Sequence, residues 1–126
     1  LNGKFFRKTI GFDDSQMEKF RIENQAFRPA LTSLTASIDS LKVEMYSEMQ
    51  ATSPDTTRLN LLADEIGKKH GVLKKETADF YLKLKKICSA DQEKKLAQAF
   101  EPIFRNEPAN TGPGIIKQKN NNSFKQ

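Results

Sequence analysis

Phe12-Asp13-Asp14-Ser15-Gln16 near one end of the chain and Cys88-Ser89-Ala90-Asp91-Gln92 near the other share one local pattern, and its spacing fixes where two helices start. In each, a hydrogen-bond acceptor at the cap (Asp13, Ser89) precedes by three residues a glutamine (Gln16, Gln92) whose amide can reach back to the cap backbone. Both are capping boxes. Phe12 is also placed to staple onto Met17, a contact that Cys88 and Glu93 reproduce less well.

Working outward from the first box, Met17, Phe20, Asn24, Phe27, Leu31, Leu34, Ile38, Leu41 and Met45 recur at spacings of three and four, ending near Met49. This is a helical seam, almost wholly apolar. Pro29 falls inside it and removes the bond to the carbonyl of Gln25, yet the apolar register crosses it intact, so the spacing predicts one kinked helix and not two. Ala51-Thr52-Ser53-Pro54 ends it and starts the next, with Ser53 as N-cap and Pro54 in the first helical position. A second seam runs through Leu59, Ala63, Ile66, His70, Leu73, Thr77, Phe80, Leu84 and Ile87. The short connection makes the two helices antiparallel neighbours. Helices of about 35 residues are on the order of 50 Å long, so the expected fold is an all-α elongated antiparallel hairpin with short flanking helices. Its exposed apolar edge predicts a second copy, a homodimer.

After Ser89 a shorter helix carries Leu96, Phe100 and Phe104, with Pro102 marking its fraying end. Residues 105–126, rich in Asn, Gly, Pro, Lys and Gln, read as a disordered tail. Residues 1–9 hold Phe5 and Phe6 without a repeat and suit a short docking turn. No strand pattern or solenoid repeat is visible.

Composition narrows the function. The 126 residues suit one domain with a modest core, and the net charge of +5 is uneven: residues 54–88 carry eight Lys and Arg against five acids. That excess suits an acidic or mixed-charge partner, although a solvated helix face is its commoner cause. No run approaches the roughly 18 apolar residues of a membrane span, and no signal peptide is visible. The sequence starts without Met, which reads as processing or excision and leaves a signal or membrane anchor upstream of Leu1 open. No nucleophile-base pair, phosphate loop or HExxH motif supports an enzyme. Nucleic-acid binding has charge alone in its favour, with no motif and no interleaved exposed aromatics.

Two boxes of the form apolar-Thr/Ser-x-x-Gln flanking a long helical hairpin resemble the LTxxQ family of bacterial periplasmic proteins, which includes the Spy and CpxP stress proteins and heavy-metal-resistance and sensor proteins of the CnrX and ZraP kind. The resemblance covers Ile10 to Phe104, a helical domain of residues 10–104. Leu62-Ala63-Asp64-Glu65 before Ile66-Gly67, and Lys86-Ile87-Cys88 before the second box, look like forms common in the sensor homologues. The boxes themselves depart from the family pattern, with Phe12-Asp13 and Cys88-Ser89 in place of Leu-Thr. The resemblance implies a dimeric cradle in the periplasm of a Gram-negative bacterium. In Spy-like members its concave face, basic and apolar, holds unfolded proteins without ATP; in sensor-like members a metal binds and a membrane partner receives the signal.

The ligand count speaks against the metal. His70 and Cys88 are the only residues of their kinds, and their spacing of 18 residues on one helix is roughly 27 Å. On the seam, His70 reads as a packed residue before a ligand. Met45 and Met49, one turn apart, have the spacing for soft copper, but at seam positions they are ordinarily core filler. Cys88 has the place of a small buried hydrophobe, with pairing between subunits as the alternative in an oxidising compartment. Gly67 and Gly71 either let a facing helix approach or mark a soft point.

The sequence therefore predicts a binding protein of the Spy/CpxP type without a cofactor, with a heavy-metal or envelope-stress sensor as the alternative. Its partners are unfolded or partly folded clients, or a membrane signalling protein, and not nucleic acid. Lys68, Lys69, Lys74, Lys75, Lys83, Lys85 and Lys86 would attract acidic or mixed-charge client segments, and Phe27 and Phe80 would supply apolar contact.

Overall fold

The computed structural model describes residues 2–106, and these form four helices with no strand among them. Helix α1 (Gly3–Phe5) runs on as a π-helical turn (Phe6–Ile10), followed by α2 (Asp14–Met49), α3 (Thr56–Ile87) and α4 (Ala90–Arg105). The disordered-tail expectation lies, from residue 107 onward, outside the described residues; Arg105 belongs to α4. Among the described residues no helix is long and apolar enough to cross a membrane.

The helix starts follow the chemistry of their caps. Asp13 Oδ1 accepts from Gln16 N at 2.8 Å while Gln16 Oε1 accepts from Asp13 N at 2.9 Å, and the second box repeats this with Ser89 and Gln92 at 3.4 and 2.9 Å. Helix α3 departs from expectation. Its N-cap is Asp55 and not Ser53: Asp55 Oδ1 accepts from Arg58 N at 3.2 Å, and Asp55 N donates to Glu48 Oε2 at 2.9 Å. A carboxylate outcompetes a hydroxyl at the positive end of a helix dipole, so Pro54 lies before the cap and not inside the helix.

Both internal prolines are carried by continuous helix, Pro29 in α2 and Pro102 in α4. Pro102 was expected to fray α4, but the helix continues to Arg105, where Lys74 Nζ donates to the carbonyl of Phe104 and lies 4.5 Å from the Phe104 ring centroid. A cation on the last free carbonyls holds a helix end that proline weakens.

The chain divides into two compact units. The first comprises residues 2–31 and 74–105. Its core joins Phe6, Ile10, Phe12, Met17 and Phe20 to Phe80, Leu84, Leu96 and Phe100. The Phe6 ring lies 4.3 Å from Phe20 and 5.5 Å from Phe12, and Phe27 stacks on Phe80 at 4.1 Å. Each such side chain contributes about 1.5–3 kcal/mol on burial. Gly11, at φ 88°, closes the π-helical turn, and both Gly11 N and Phe12 N donate to Phe6 O at 3.0 Å. That left-handed residue reverses the chain so that Phe12 enters the core.

The second unit, residues 32–73, has a thinner interior of Ile38, Leu62 and Leu73. Arg58 bridges to Glu44 at 2.9 Å and to Glu48 at 3.4 Å. On α3 the buried register passes through Leu62, while Ala63, assigned to the seam, is exposed. The larger side chain buries more apolar area at the price of a step of one residue. On α2 the seam holds as far as Met45, but Met49 is 51% exposed.

A Cβ built on Gly67 or Gly71 meets nothing within 4 Å. Among the described residues no helix approaches closely there, so both glycines are soft points. Gly67→Ala and Gly71→Ala are expected to stabilise the fold by about 0.5–1 kcal/mol each. Pro29→Ala, which restores the bond to the Gln25 carbonyl, should add about 1–3 kcal/mol. Urea unfolding followed by circular dichroism reads all three.

Candidate functional site

The two capping boxes meet inside the first unit. Gln16 Nε2 donates to Gln92 Oε1 at 2.7 Å, and Gln92 Nε2 donates back to Gln16 Oε1 at 3.2 Å. The remaining donor of each amide goes to a backbone carbonyl two residues before the other box's cap: Gln16 to Ile87 O at 3.0 Å, Gln92 to Gly11 O at 2.9 Å. The arrangement has local two-fold character. Each amide oxygen accepts from its own cap and from the opposite glutamine, so both side chains use their full hydrogen-bonding capacity. Each box was legible in the sequence as a helix start; no sequence signal shows that two boxes 76 residues apart bond to each other.

In the same unit, α3 and α4 enclose an apolar groove of about 410 Å³. Ala78, Tyr81 and Leu82 line it from α3, and Ala97, Phe100 and Phe104 from α4. Tyr81 packs edge-on against Phe100 at 5.2 Å, making the floor. Leu82 is 55% exposed and Phe104 is 45% exposed, so the groove opens to solvent. Glu101, at its edge, is held by Arg105 at 2.8 Å. A second depression of about 490 Å³ adjoins it through Leu82 and is lined by Lys83, Lys85, Lys86, Asp79 and Glu93.

The lysines expected to contact a client are dispersed. Lys68 (exposed) and Lys69 (half-buried) belong to the second unit, whereas Lys75, Lys85 and Lys86 are exposed in the first. Lys83 is engaged by Asp79 at 3.0 Å and by Glu23 at 3.9 Å. Its hydrogen bond to Asp79, then the charges of Asp79 and Glu23, raise its pKa. Lys74 is committed to Phe104. Phe80 is buried and stacked on Phe27, and both rings meet Lys83, Glu23, Glu76 and Asp79 around a small depression of about 60 Å³. At the larger groove the exposed apolar surface comes from Leu82 and Phe104. Leu82 had a sequence signal, an apolar residue off the seam among Lys83, Lys85 and Lys86; Phe104 stands in the sequence as one of the apolar residues of the last helix, beyond Pro102.

Among the described residues no group of three or more His, Cys, Asp and Glu side chains gathers to hold a metal ion. His70 and Met45 are half-buried and Met49 is exposed, all in the second unit. Cys88 is half-buried against the core, and burial, with a smaller contribution from Glu93, raises its pKa.

No protein-family model, curated protein or solved structure matches the chain.

Gln16→Ala and Gln92→Ala should each destabilise the fold by about 1–3 kcal/mol, because each strands the opposite amide. The double variant should lose less than the sum, with a coupling of about 0.5–3 kcal/mol in a double-mutant cycle of urea midpoints. Cys88 should alkylate with iodoacetamide several times more slowly than a free thiol at pH 8. With the folded pKa raised, the unfolded chain loses the thiol proton first, so stability at Cys88 is full below the ordinary thiol pKa and declines as pH rises through it.

Proposed function

We propose that the chain is a binding protein of the LTxxQ type that holds unfolded or partly folded protein segments without nucleotide. The observation that carries this reading is the open apolar groove between α3 and α4, beside exposed Lys85 and Lys86. Apolar floor supplies affinity and lysine charge supplies encounter rate, a combination suited to many weakly related clients. The mutual bonding of the two boxes supports the family resemblance, because it joins the two motifs on which that resemblance rests.

A homodimer and an antiparallel hairpin belong to the same reading. In the second unit Val43, Tyr46, Met49, Leu61 and Val72 are exposed beside an interior of three buried apolar side chains, Ile38, Leu62 and Leu73. A second copy would cover such a surface. Periplasmic placement rests on the family resemblance.

Equimolar protein should suppress the aggregation of a chemically unfolded client, followed by light scattering in nucleotide-free buffer. Sedimentation equilibrium at micromolar concentration should return a dimer. Unimpeded aggregation, together with zinc, nickel, cobalt or copper raising the melting temperature, would instead identify a metal sensor.

A further inference from the structure

We draw no further inference here: the strongest candidate, the apolar groove between α3 and α4 lined by Tyr81, Leu82, Phe100 and Phe104, has Glu101 as its one charged lining residue, already held by Arg105, and nothing in the structure shows what covers it.

Discussion

The reciprocal amide pair of Gln16 and Gln92 is the constraint on which the first unit depends. Two primary amides satisfy each other, both helix caps and two backbone carbonyls, so neither helix start can shift without stranding polar groups of the other. Neutral amides suit this place. A charged pair would incur a desolvation penalty, whereas amides offer donors and acceptors in equal number and do not titrate.

The aromatic core follows from that junction. For its carbonyl to meet Gln92, Gly11 must close the π-helical turn in a left-handed conformation, and the reversal drives Phe12 towards Phe6 and Phe20. From the other side, the Ile87 carbonyl accepts from Gln16 Nε2, and Ile87 packs against the same core. Helix α4 starts there and buries Leu96 and Phe100, but its last turn carries Phe104 to the surface. The groove is what remains where α4's apolar stripe outruns the side chains that can cover it.

In the second unit Arg58 ties Glu44 and Glu48, but this arginine is half-exposed, and such pairs are worth about 0–1 kcal/mol. With three buried apolar side chains for 42 residues, this unit is the part of the protein whose helices gain least from their own interior. The buried apolar side chains are therefore concentrated in the first unit, where the groove lies.

The amino-acid sequence by itself determined the all-helical class, both capping boxes, passage of α2 through Pro29 and the apolar register from Met17 to Met45, because these depend on contacts within three or four residues. Local chemistry was insufficient where two local solutions competed: Asp55 displaced Ser53 as cap once Glu48 reached across to its backbone N–H, and Leu62 displaced Ala63 on α3. The candidate site was least legible. Phe80 and Phe104 have similar helical periodicity, and only the packing of α4 on α3 decides that Phe80 stacks inside against Phe27 while Phe104 stays outside beneath Lys74. Likewise, each glutamine announced a helix start, but the bond between them is a contact across 76 residues. The tertiary structure alone decides it, since two amides can satisfy each other only after the core has brought them within hydrogen-bonding distance.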